Sequence, residues 1–123
     1  MNQAPSTLNG QRALLADDEQ SIRELLRTHL EYLGVEVIEA RNGEEALELY
    51  TRGPFDLVLT DYAMPKMRGD ALAWAIKIVN PAQRVVMVSG FAEQVLKNGK
   101  LPVFIDRLIA KPCTIDQLTD AFS

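Results

Sequence analysis

From Arg12 onward, short apolar runs alternate with segments whose apolar residues recur every three or four positions. Ala13 to Ala16 (ALLA) is the first apolar run, and it stops at Asp17 and Asp18. Ile22, Leu25, Leu26, Leu30 and Leu33 then follow at helical spacing, closed by Gly34, a good C-terminal stop. Val35 to Ala40 (VEVIEA) alternates apolar and polar residues, the pattern of a strand with one drier face. Asn42 is placed to cap a second helix with Ala46, Leu47 and Leu49 or Tyr50 inward, and Gly53-Pro54 breaks it. Phe55 to Thr60 is almost continuously apolar, as expected of a strand covered on both faces. A helix is predicted over Gly69 to Asn80, carrying Leu72, Ala75, Ile76 and Val79 and ended by Pro81. Val85 to Val88 (VVMV) is a further buried strand, closed by Ser89-Gly90. A short helix around Ala92 to Lys97, a loop with Gly99 and Pro102, and a fifth strand over Phe104 to Ala110 come next. Thr114 caps a last helix carrying Ile115, Leu118 and Phe122.

Five strands alternating with five helices predict an α/β fold, because right-handed crossovers between buried strands build a parallel sheet with helices on both faces. No repeat or low-complexity linker interrupts the pattern, so residues 11–123 read as one domain. The preceding ten residues, MNQAPSTLNG, read as a polar, flexible N-terminal arm. In such sheets, sites form beyond the carboxyl ends of the strands, where strand order reverses.

Composition narrows the classes. A chain of 123 residues, 47% apolar and 24% charged, suits one soluble domain with a real core. A net charge of −4 argues against a nucleic-acid surface, which needs concentrated Lys and Arg. The single cysteine, Cys113, forms no internal disulfide, so nothing implies an oxidising compartment. No apolar run approaches the ~20 residues that span a bilayer, and the N-terminus lacks the basic start and apolar stretch of a secretory signal. A cytoplasmic location away from membranes is the expectation.

The chemistry lies where the strands end. Asp17 and Asp18 end the first strand, Asp61 the third, Ser89 the fourth and Lys111 the fifth. In a parallel sheet those ends share one edge, so three carboxylates, a hydroxyl and an ammonium converge. Clustered acids raise one another's pKa unless a cation joins them, and carboxylate oxygens with room for water suit Mg²⁺. A carboxylate beside Mg²⁺ is a competent nucleophile toward phosphorus, with Lys111 and Ser89 placed to stabilise the transferring oxygens. Each residue alone has a plainer reading, as a turn acid, a helix cap, a turn serine or a snorkelling lysine. Their joint placement at consecutive strand ends carries the functional one.

At these residues the chain resembles the receiver domain of bacterial two-component response regulators. The match rests on Asp17-Asp18, on DYAMPKMRG from Asp61 to Gly69, on Ser89 and on Lys111-Pro112, and it runs from about Arg12 to Phe122. The resemblance implies a flavodoxin-like (βα)5 doubly wound sandwich with strand order 2-1-3-4-5. It implies phosphorylation of Asp61 by a histidine kinase or histidine phosphotransfer protein. Mg²⁺ would be held by Asp18, Asp61 and the Ala63 backbone carbonyl, with Asp17 acting through water. Lys111 would contact the phosphoryl group, Ser89 would move toward it, and the Lys111–Pro112 peptide would be cis. Such a domain is a switch that changes partner affinity, and it catalyses only its own phosphorylation and dephosphorylation. No DNA-binding segment follows the last helix, so output is expected through protein contact, phosphate relay or a region outside these residues.

Two departures from the family pattern stand out. Leu108 occupies the position three before the lysine where relatives usually carry Tyr or Phe, with Phe91 a candidate substitute. The stretch KNGKLPVFIDR, Lys97 to Arg107, is longer and more apolar than usual, resembling receivers attached to hybrid histidine kinases. Many relatives dimerise through the face of the fourth helix, fifth strand and fifth helix, which makes that face the expected homodimer surface. Of the remaining residues, His29 reads as a surface or boundary residue. Cys113 sits at a helix start where a thiolate is modestly favoured, although a structural role is the plainer reading. Trp74 lies one residue off its helix's apolar stripe, in a position for a partner contact. A small Mg²⁺-dependent phosphohydrolase of the haloacid-dehalogenase type is the competing class. It wants a second acid two residues after the nucleophile, where Ala63 stands. A nucleotide-binding module wants a Gly-rich loop after the first strand, where the residues are DDEQS.

Overall fold

The computed structural model describes residues 8–90, 95–96 and 99–123. Five strands alternate with helices: β1 (Arg12–Ala16), α1 (Gln20–Tyr32), β2 (Glu36–Ala40), α2 (Gly43–Tyr50), β3 (Leu57–Thr60), α3 (Gly69–Val79), β4 (Val85–Ser89), β5 (Arg107–Ala110) and α4 (Ile115–Asp120). The strands form one parallel sheet in the order β2-β1-β3-β4-β5, the predicted topology. The helix predicted around Ala92 to Lys97, and Phe91 before it, lie outside the described residues except for Val95, which is buried, and Leu96.

Successive strand residues face opposite ways, and both sets are buried. Leu14, Val58, Val85 and Met87 pack under α2 and α3 through Ala46, Leu72, Ala73 and Ile76. Ala13, Leu15, Leu57, Leu59, Val86 and Val88 pack under α1 and α4 through Leu26, Leu30, Leu118 and Ala121. All four β3 residues are therefore buried, which is why this strand reads as an unbroken apolar run.

The predicted caps are present. Asn42 accepts from the Glu45 backbone N–H at 2.8 Å, and Thr114 and Gln117 form a reciprocal capping box. Gly34 lies in the left-handed region at φ 95°, closing α1. Leu8 to Gly10 form a turn, and the Leu8 N–H donates to the Leu33 carbonyl.

β2 begins one residue later than predicted, and two further strands are shortened by two residues or more, for local reasons. The run from Phe55 begins as a strand only at Leu57, because Asp56 turns its carboxylate onto the Arg12 N–H at 2.7 Å. The run from Phe104 begins only at Arg107. Val103 and Phe104 lie in a turn closed by Ile105 N–H to Pro102 O, and the Asp106 carboxylate takes the Val85 N–H. The apolar excess of the connection is core: Leu101, Phe104 and Ile105 pack into the cluster under α3. Val103, by contrast, is almost wholly exposed. Among the described residues, no helix is long and apolar enough to cross a membrane.

Candidate functional site

The sheet order sets β1 and β3 side by side, so their ends meet. Ladder bonds continue past the strands: Asp17 N–H donates to Ala40 O, Asp61 N–H to Ala16 O, and Lys111 N–H to Ser89 O at 3.0 Å. These bonds fix the backbones of the acid-bearing and lysine-bearing turns at one rim. Carboxylate oxygens of Asp17, Asp18 and Asp61 lie within 4.8 Å of one another. Asp17 and Asp61 are buried and Asp18 is exposed. Lys111 enters from the far side, its Nζ 3.0 Å from Asp17 Oδ2 and 3.4 Å from Asp61 Oδ2.

The electrostatics follow from that crowding. Burial pushes the Asp61 carboxyl above the ordinary aspartate range; Lys111 opposes the shift and Asp17 adds to it. Burial is also the largest single influence on Lys111, tending to lower its pKa. The Asp17 hydrogen bond and the charges of Asp17 and Asp61 together outweigh it and hold the ammonium above its usual value. Lys111 is therefore a fixed cation at neutral pH. Three carboxylates face one ammonium, which leaves the site with unbalanced negative charge.

Each acid is oriented. Asp61 Oδ1 accepts from the Tyr62 N–H at 2.8 Å, and the Thr60 hydroxyl donates to the Asp61 carbonyl. Asp17 uses both oxygens, one toward the Glu19 N–H and one toward Lys111. Asp18 is the open carboxylate, and Ala63 is exposed on the loop after Asp61. Ser89 is buried at the end of β4, next to the backbone that carries Lys111. The Lys111–Pro112 peptide is cis.

The loop from Asp61 to Gly69 folds tightly over this edge. Met67 N–H donates to Pro65 O at 2.7 Å, a γ-turn that places Lys66 at φ 68°, a left-handed value seldom adopted by a residue with a side chain. Gly69 N–H returns to Tyr62 O. Two glycines make room for the loop: a Cβ at Gly69 would collide with the Asp61 carbonyl, and one at Gly43 with the Met67 carbonyl.

Sequence reasoning passed over Arg23. Its Nη1 donates to the Asp17 carbonyl at 2.8 Å, while its Nε pairs with Glu39 of β2 at 3.0 Å. A largely buried guanidinium thus anchors the turn that carries both β1 acids. Its position one turn into α1, on the side facing β2, was the available signal. Leu108 is half-buried and packs into the cluster containing Met87, its neighbour across the β4–β5 ladder. Its candidate substitute, Phe91, lies outside the described residues. The expected thiolate tendency of Cys113 is overturned: burial pushes its thiol up. His29 is a half-buried boundary residue, with Nδ1 enclosed and unpartnered among the described residues. Trp74 is 57% exposed.

The chain is similar to known proteins in sequence and in fold. Residues 13–123 match the response regulator receiver domain family. Over 111 residues the chain is 39% identical to the response regulator protein PilR of Pseudomonas aeruginosa, a match covering 82% of this chain and 25% of that protein. It is 32% identical to the autoinducer 1 sensor kinase/phosphatase LuxN of Vibrio campbellii, over 95% of this chain and 13% of that protein. The chain thus spans a quarter or less of these two longer relatives. The response regulator TrrA of Thermotoga maritima, solved in complex with Mg²⁺–BeF, superposes with a TM-score of 0.81 at 31% identity, covering 89% of this chain and 94% of that one. With its parallel sheet, its acid-lined edge and a match across nearly its whole length, the chain belongs to the response regulator receiver domain family, whose members are signalling switches.

Proposed function

We propose that Asp61 accepts a phosphoryl group from a phosphohistidine on a histidine kinase or phosphotransfer protein, and that the resulting charge alters partner affinity. The observation that carries this reading is the meeting of Asp17, Asp18 and Asp61 within 4.8 Å, with Lys111 Nζ on two of them. A carboxylate oxygen of Asp61 forms the new P–O bond as the P–N bond to the donor imidazole breaks. Tyr62 N–H orients the nucleophile through Oδ1, and Lys111 supplies a fixed positive charge for a phosphoryl oxygen. Ser89, buried at the β4 end, is assigned the hydrogen bond to another.

The donor set fits Mg²⁺: hard carboxylate oxygens, an exposed acid and an exposed backbone turn that leaves room for water. Asp18, Asp61 and the Ala63 carbonyl would hold it, with Asp17, whose oxygens are engaged by Lys111 and Glu19 N–H, acting through water. Bound there, the ion would neutralise the negative charge that three carboxylates and a phosphoryl group bring together.

The donor would approach across an apolar hollow of about 300 Å³ beside the site, lined by Ile22, Leu25, Leu26, His29 and Pro112 and bordered by Lys111. A partner delivering phosphate to Asp61 must cover this ground, and Leu25 is half exposed there.

The test is incorporation of acid-labile phosphate from a small phosphodonor such as acetyl phosphate with Mg²⁺. Wild type should label and Asp61→Asn should not. Label that persists in Asp61→Asn would move the acceptor elsewhere.

A further inference from the structure

Helix α3 is apolar on both faces. Leu72, Ala73 and Ile76 are buried beneath it, while Ala71, Trp74 and Ile78, three and four residues apart, face outward and are exposed. Trp74 is 57% exposed, Ile78 61% and Val79 73%, and Val103 stands beside them at 98%. A helix exposed to water on its outer side ordinarily carries charged residues there, and one that is apolar all round is ordinarily covered. The charges nearby are already matched: Lys77 Nζ pairs with Asp106 at 2.7 Å, and Arg68 pairs with Asp70. The relief suits a partner of the same shape. Trp74 and Ile78 form a ridge with a shallow groove on each side, one floored by Leu47, Tyr50 and Ala75, the other by Pro81 and Phe104.

We propose that this face is a homodimer interface, in which the Trp74–Ile78 ridge of one copy seats in the groove between α2 and α3 of a second copy. Area supports it. A fully exposed aromatic offers roughly 200 Å² and a large aliphatic about 100 Å², so the four exposed side chains present on the order of 350 Å² per copy. Two copies would bury roughly 700 Å² of apolar surface. At the ~65% apolar share of homodimer interfaces this corresponds to about 1,100 Å² in all, just above the ~1,000 Å² that a specific contact needs. The dimer is therefore weak and concentration-dependent. Charge is compatible with it, since Lys77, beside the ridge, is already paired with Asp106 and need not be buried unpaired. The face offered by resemblance to relatives is the poorer choice on its described part, where the exposed side chains of α4, Asp116, Gln117 and Asp120, are polar. This inference does not depend on the chemistry of Asp61.

Trp74 is the single tryptophan, so it reports on its own interface. Sedimentation equilibrium of the full chain from about 10 to 500 µM should show reversible dimerisation, accompanied by a blue shift of tryptophan emission as concentration rises. Ile78→Glu should shift the dissociation constant at least about tenfold or abolish dimerisation, and Trp74→Glu should do the same by sedimentation. Both variants should retain the wild-type circular dichroism spectrum and labelling by acetyl phosphate. A wild type that stays monomeric over that range overturns the proposal. So does a dimer whose emission does not move, or one that survives both substitutions in folded protein.

Discussion

Asp61 carries its charge in a nearly water-free position with two other carboxylates close by, so ionisation costs the fold something. Its folded pKa is raised, chiefly by burial, so the native state holds the proton more tightly than the unfolded chain does. In metal-free buffer, this group's contribution to stability should fall as pH rises from the ordinary aspartate value through the raised one. Asp61→Asn should accordingly raise Tm at neutral pH, by roughly 2–8 °C, the span of 1 kcal/mol for domains near this size. A lowered Tm on thermal unfolding in EDTA would contradict that sign. Lys111 follows the same sign in a higher window: its pKa is raised, so its stabilising contribution is complete below the ordinary lysine value and is lost only above it. Arg23 acts one step away, by holding the Asp17 carbonyl. Arg23→Met should weaken Mg²⁺ affinity about tenfold by calorimetric titration, the size seen when a ligand's supporting group is lost. Arg23→Lys should fall between, since one ammonium cannot reproduce the guanidinium fork. Native affinity in the Met variant would remove Arg23 from this role.

Between β3 and α3, the Asp61–Gly69 loop turns a dry strand into a site. Its course needs two backbone approaches that admit no side chain, Gly69 on the Asp61 carbonyl and Gly43 on the Met67 carbonyl. Gly69→Ala should therefore cost about 1–3 kcal/mol in denaturant unfolding and slow labelling, because relief of the clash displaces the nucleophile's own backbone. Gly90→Ala, where an added Cβ meets nothing within 4 Å among the described residues, is the matched control and should stay within about 0.5 kcal/mol of wild type. Equal effects at both positions would mean that the loop yields easily. On β5, Leu108 packs into the core beside Met87, at the position where the family resemblance implied an aromatic ring. Leu108→Tyr should alter partner affinity if a ring there couples the site to the surface, and unchanged affinity would show that this chain transmits its signal without one.

At the scale of the whole molecule, one cation binding where three acids meet should tighten the fold, because the unfolded chain offers no such site. Mg²⁺ at a hundred times its dissociation constant should stabilise the protein by about 2.7 kcal/mol in denaturant unfolding. In Asp18→Ala the same Mg²⁺ concentration should give little of that gain. A full gain in the variant would place the ion elsewhere.

Much of this was legible in the chain. Strand and helix identities follow from two distinct apolar periods, and Asn42 and Thr114 announce their helices because capping is local chemistry. The five strand-end residues were legible too, because a strand's end is visible where an apolar run meets a charge. What only the tertiary structure decided is contact. The neighbouring of β1 and β3 sets Asp17 and Asp18 against Asp61, across more than forty positions of sequence. Arg23 became a support only when α1 packed beside β2 and brought Glu39 within reach. The two shortened strands and the outward turn of Ile78 were settled the same way, whereas Trp74 already read as lying off its helix's apolar stripe. Periodicity records which residues avoid water, while register and packing decide which partner each of them meets.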